Sequence, residues 1–210
     1  MIAIDFDGTL VDSYTIIPII YKKFQEDYKL PEGFVDAMLC FEDIWDFFGI
    51  FERKRWIKYV FKDGESLWED YWKIREENQV MLPGTIEFLK SVKKEYNLYL
   101  VSSVDDTEDI KIRRIKSSGL QVYFKDIIIY GTEDFPTILD AIKYLMEEEK
   151  KLIYIDDKNT NISKLLDLKN IKLIKRIFYP PFPFKLAWRY PNVEVEYITN
   201  LLEILPYLNV

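Results

Sequence analysis

Short, continuously apolar runs alternating with amphipathic stretches are the feature that most constrains this chain. Five runs read as strands: Met1–Phe6, Leu98–Val101, Asp126–Tyr130, Leu152–Ile155 and Ile171–Ile177. Between them the spacing predicts helices over Thr85–Tyr96, after the helix-opening Pro83-Gly84, and over Asp106–Ser118, ended by Gly119. Further helices are expected over Thr137–Lys150 and Asn161–Lys169, and Thr199–Tyr207 closes the chain. Strands that alternate with helices build a parallel sheet covered on both faces. Runs that are apolar throughout, rather than at every second position, are what doubly covered strands require. The expected fold class is therefore α/β, a doubly wound parallel sheet.

Residues 14–82 break the rhythm. They contain no convincing strand, but Tyr14, Ile17, Tyr21, Phe24 and Tyr28 recur in steps of three and four, the helical repeat. Trp68, Tyr71, Trp72 and Arg75 repeat that spacing, and Trp45, Trp56, Trp68 and Trp72 all fall in this stretch. The segment reads as an all-helical insertion after the first strand, dividing the chain into a core of 1–13 and 83–210 and an insert of 14–82. Its aromatic stripe is expected to form the insert's own core rather than a substrate pocket.

The first strand ends in an unusual way, in Asp5-Phe6-Asp7-Gly8-Thr9. Two carboxylates at about 4 Å repel by about 4 kcal/mol even at an effective dielectric of 20, so something must offset them. In an open parallel sheet, ligands sit beyond the carboxyl ends of the strands. There the sequence puts Asp5 and Asp7 after the first strand, Ser102 and Ser103 after the second, and Asp156 and Asp157 after the fourth. A hard divalent cation such as Mg²⁺, which takes carboxylate, water and phosphate oxygens, is the natural offset. Asp5, Asp7, Asp156 and Asp157 are the expected metal-binding set. Asp5 can act as a nucleophile, and Asp7 can protonate a leaving oxygen and later activate water. Gly8 permits a tight turn and close approach of a phosphate. Ser102 and Ser103 can donate to that phosphate, helped by the helix that opens after them.

Composition removes most competing chemistries. With 49% hydrophobic and 31% charged residues the chain can bury a core. It has no histidine, which excludes serine–histidine triads and histidine-ligated zinc sites. Cys40 is the sole cysteine, so no disulfide framework exists, and a reducing compartment fits. A net charge of −7 argues against nucleic acid as a partner. No signal-peptide pattern follows Met1 and no apolar run reaches membrane-spanning length, so a cytoplasmic location with no membrane partner is expected.

The motifs DFDGTLVDS, VSS at the second strand end and YIDDKNTN at the fourth resemble those of the haloacid dehalogenase superfamily of phosphohydrolases. LPGTIEFLKSV is similar to the segment that re-enters the core after the helical cap in its phosphoglycolate-phosphatase and β-phosphoglucomutase-like branch. The resemblance spans nearly the whole chain. It implies that Asp5 is the nucleophile, Asp7 the acid/base and Ser102 a phosphate ligand, with Asp156 and Asp157 holding Mg²⁺. Asn161 falls where a further outer acid often sits. One departure stands out: relatives carry a lysine just before a proline ahead of the third crossover helix, and here Phe135 precedes Pro136. Lys125, Lys143 and Lys158 are the candidates to replace it, with Lys158 placed among the phosphate-binding residues.

Other polar runs have plainer readings. Asp105, Asp106, Glu108 and Asp109 are expected to serve the N-terminus of the following helix, Arg53, Lys54 and Arg55 a solvated face, and YPPFPF (179–184) a stiff crossover loop. The expected function is Mg²⁺-dependent hydrolysis of a small phosphorylated metabolite through an aspartyl-phosphate on Asp5. A phosphomutase would use the same core, and a phosphate binder weakened by Phe135 is the other alternative. A phospho-accepting receiver would need the acid pair first and its acceptor on a later strand, the reverse of this order.

Overall fold

The computed structural model describes residues 1–148 and 150–208. Glu149, inside the helix expected over Thr137–Lys150, lies outside the described residues, as do Asn209 and Val210 at the end of the expected core. β1 (Ile2–Ile4) has no exposed side chain. It runs parallel between β4 (Leu98–Ser103) and β6 (Leu152–Asp156), with Ile4 opposite both Leu100 and Ile155. β5 (Asp126–Tyr130) extends the sheet beyond β4; β7 (Ile171–Arg176) and β8 (Glu196–Ile198) extend it beyond β6. The result is a six-stranded parallel sheet in the order β5-β4-β1-β6-β7-β8. β8, short and half polar, was not among the expected strands.

Successive strand residues face opposite sides, and the two cores show it. Ile2, Ile4, Leu98 and Leu100 pack with Phe88, Leu89 and Val92 of α5 (Thr85–Val92) and Ile115 of α6 (Glu108–Ser117). Ala3, Tyr99 and Val101 pack on the other side with α7 (Ile138–Glu148), whose Ile138, Ala141, Ile142 and Leu145 form one helical stripe. The helix expected over Asn161–Lys169 is shorter and earlier, α8 (Asn159–Ser163), and the last predicted helix is a 3₁₀ turn over Leu201–Tyr207.

Four helices fill the interruption after β1: α1 (Ile17–Asp27), α2 (Phe34–Phe48), α3 (Arg53–Val60) and α4 (Gly64–Glu77). Two two-residue strands, β2 (Val11–Asp12) and β3 (Val80–Met81), pair antiparallel as the stem through which the chain leaves and returns. β3 corrects the expectation that 14–82 holds no strand; two residues are too few to leave a periodic signal. Arg176 ties both sides of the stem, donating to the carbonyls of Thr9 and Pro83. The aromatic stripe is indeed packed inside the insert: Tyr21, Phe24, Trp56, Tyr71 and Trp72 are buried together. Phe182 and Trp188 from the segment after β7 join that cluster, so YPPFPF is anchored over the insert instead of being a plain crossover.

Arg53 also departs from its expectation. It is not part of a solvated face but is buried against Glu42, donating from Nη2 at 2.6 Å, while Lys54 is half-buried and Arg55 exposed. Asp106 likewise does not serve the helix that follows it. It accepts from the backbone amides of Arg53 and Lys54 at 2.8 and 2.9 Å, and from the indoles of Trp68 and Trp72, so a core loop caps an insert helix. Thr107 takes the N-cap of α6 in its place, with Glu108 and Asp109 in the first turn.

Candidate active site

Because the strands are parallel, the carboxyl ends of β4, β1 and β6 lie side by side at one rim. The backbone amide of Asp5 donates to Ile155 O at 2.9 Å, fixing Asp5 beside the end of β6. Asp5, Asp156 and Asp157, all buried, offer carboxylate oxygens within 4.8 Å of one another. Three buried acids so close are mutually destabilising without a cation. Burial raises the proton affinity of Asp5 well above the ordinary carboxylate range, and Asp156 and Asp7 push it further. Asp157 is raised by burial and then by Asp156, against the pull of Lys158.

The two late aspartates are held differently. Asp156 accepts from the Lys158 amide at 2.7 Å through Oδ1, and from Tyr154 Oη and Asn161 Nδ2 through Oδ2, the latter at 2.9 Å. Asp157 accepts from Trp188 Nε1 at 2.6 Å through Oδ2, while its buried Oδ1 has no partner. A buried carboxylate oxygen left over is what a cation site supplies. Gly8 has φ +74°, and a Cβ there would collide with the Asp157 carboxylate. Only glycine lets the first-strand turn and the fourth-strand acid come this close.

Asp7 stands apart from that trio. Its carboxylate receives Lys111 Nζ, Arg114 Nη2 and the Ser13 hydroxyl, and Asp105 shares both cations. Burial alone would raise its proton affinity; Arg114 and Lys111 reverse that and hold it well below the ordinary range. Among the four aspartates expected at the metal, three converge, and the side chain of Asp7 is turned to α6. Asp105, expected to serve a helix N-terminus, is instead the second anion of this cluster. Ser102 is fully buried with an unpartnered Oγ, and Ser103 lines a cavity of about 490 Å³ between the insert and the strand ends.

The lysine candidates separate cleanly. Lys125 is paired with Glu148 on the surface and Lys143 is exposed. Lys158 is buried, lines the cavity, and bonds Asp46 of α2 at 2.8 Å. Phe135 packs on Tyr144 with ring centroids 5.3 Å apart and offers no charge.

Lys111, Arg114, Asp46 and Trp188 were not singled out from sequence. For the two cations a signal existed: Lys111 and Arg114 lie between Ile110 and Ile115 on the buried face of α6. Nothing local announces that Trp188, thirty-one residues beyond Asp157, bonds to it.

The profile of the haloacid dehalogenase-like hydrolase family matches residues 2–164, and the chain belongs to that family. No curated protein matches its sequence significantly. Solved structures share its fold at low identity. YfnB of Bacillus subtilis, in a magnesium-bound form, superposes with a TM-score of 0.71 at 20% identity, covering 100% of this chain and 98% of that one. A haloacid dehalogenase-like hydrolase, SP0104 of Streptococcus pneumoniae, gives 0.67 at 18%, covering 98% and 96%. A predicted phosphoglycolate phosphatase of Haemophilus somnus gives 0.67 at 15%, covering 99% and 96%. Among the described residues no helix is long and apolar enough to cross a membrane.

Proposed function

We propose that this hydrolase is a Mg²⁺-dependent phosphatase of small phosphomonoesters that works through a phosphoryl-enzyme on Asp5. The observation that carries this reading is the convergence of Asp5, Asp156 and Asp157 with one buried oxygen of Asp157 unspent. Such an all-oxygen donor set fits Mg²⁺, held by Asp5 and Asp157 with Asp156 beside them. When bound, the ion neutralises charge on the transferring phosphoryl group.

The chain's own groups do the rest. An oxygen of Asp5 attacks phosphorus, the bond from phosphorus to the leaving oxygen breaks, and Asp7, once it has left Lys111 and Arg114 and taken up a proton from solvent, supplies the proton that oxygen takes up. A water then attacks the acyl phosphate and gives its proton to Asp7, which releases inorganic phosphate and restores Asp5. Lys111 and Arg114 favour ionised Asp7, the form needed in this second step. Ser102 Oγ is a free donor for a phosphoryl oxygen, and Gly8 lets the turn after Asp7 lie against the Asp157 carboxylate. Positioning and charge neutralisation are most of what phosphoryl transfer demands.

The test is hydrolysis of an aryl phosphate, whose phenolate leaves without needing a proton first. Turnover that requires Mg²⁺, stops with EDTA and falls by about a thousandfold or more in Asp5→Asn supports the reading. Activity that survives Asp5→Asn overturns the nucleophile. Phe135 in the lysine position supports a second reading, a phosphate binder with little turnover. Phosphate binding without hydrolysis would favour it.

A further inference from the structure

Lys158 is the cation that touches both halves of the site. Its ammonium lies 5.2 Å from the ring centroid of Tyr14 and 5.0 Å from that of Trp188, and those rings meet edge to face at 88°. This aromatic box fixes the charge in place. On the core side Lys158 acts electrostatically on Asp5 and Asp157. On the insert side its Nζ is bonded to Asp46 Oδ1 at 2.8 Å, and both side chains are about nine-tenths buried. Asp46 Oδ2 is buried without a partner, and both residues line the cavity between insert and strand ends.

Lys158 therefore already carries an anion, supplied by the insert. A phosphate reaching Asp5 and Ser102 brings negative charge toward the same ammonium, and two anions cannot share it without repulsion. We infer that Asp46 is a built-in competitor: it occupies Lys158, the cation that receives the substrate's phosphate, and is displaced when phosphate binds. The inference rests on the phosphatase reading and adds to it a specificity-determining residue in the insert. Lys158 then supplies the positive charge that Phe135 does not, and Asp46 sets how strongly an anion must bind to claim it.

The experiment measures inorganic phosphate binding in Mg²⁺, by the phosphate-dependent rise in melting temperature and by competition with aryl phosphate. Asp46→Asn keeps shape and removes the anion, so it should bind phosphate about tenfold more tightly, and Lys158→Met about tenfold more weakly. In the Lys158→Met background, Asp46→Asn should change affinity by less than about twofold, since the pair is then already broken. Phosphate affinity unchanged or weakened in Asp46→Asn overturns the inference, as does a tenfold gain that persists without Lys158. Either result leaves the phosphatase reading intact if Asp5→Asn abolishes turnover. No phosphate binding by any variant also overturns the inference, and the phosphatase reading is then decided separately by turnover of the aryl phosphate.

Discussion

The core rim and the Glu42 cluster of the helical insert both bury charge, and they do so in opposite ways. In the insert Glu42 is satisfied on every side: Arg53 grips it through Nε and Nη2, and the hydroxyls of Tyr21 and Tyr71 donate to Oε1 at 2.5 and 2.8 Å. Burial works against its charge, but Arg53 outweighs that and holds its proton affinity low. At the rim, Asp5, Asp156 and Asp157 crowd together, and Lys158, a cation close to them, is shared with Asp46. A closed network specifies one packing of the chain. An open one, with an oxygen to spare, marks where the molecule expects something from outside.

The contrast breaks most sharply under substitution in the insert. Arg53→Met leaves Glu42 buried and unpaired, and should cost about 3–5 kcal/mol in denaturant unfolding. A cost under 1 kcal/mol would mean the insert's charges are no better matched than the rim's. The rim should respond with the opposite sign. With EDTA present, Asp157→Asn removes a repelling charge and should leave the protein as stable as the parent or more so. Mg²⁺ at about a hundred times its dissociation constant should stabilise the parent by about 2.7 kcal/mol and do little for Asp157→Asn. A parent indifferent to Mg²⁺ would erase the distinction.

Acid gives the smallest effect and sharpens the same point. The raised affinities of Asp5 and Asp157 favour the folded state fully below about pH 4, where the unfolded carboxyls titrate, and that advantage fades as pH rises through their higher folded values. Glu42 and Asp7 do the reverse: their contribution is present above about pH 4 and is lost as pH falls through their depressed folded values. In EDTA, thermal melts from pH 7 downward should show stability first held or gained, then lost steeply below pH 4. Arg53→Met should blunt the steep part.

What the sequence disclosed follows from how far each signal reaches. Strands β1, β4, β5, β6 and β7 were legible because a doubly covered strand must be apolar along its length, and their order in the sheet makes the carboxyl ends neighbours. Asp5, Asp156 and Asp157 could be picked out as strand-end acids. The side chain of Asp7 could not be aimed, because its partners Lys111 and Arg114 lie over a hundred residues away on a helix that looks merely charged. Arg53 was misjudged for the same reason: a basic triplet is normally solvated, and only the tertiary approach of Glu42 and Asp106 buries its first member. The chain's short structures, β3 and β8, leave too few residues to form a pattern.

The family profile ends at residue 164, yet the indole holding Asp157 sits at residue 188. A fragment cut at the profile's edge would retain Asp5, Asp156, Asp157 and Ser102 but lose both the indole that holds Asp157 and β7, the strand that flanks β6. In this molecule a stretch with no recognisable signature aims a residue that has one.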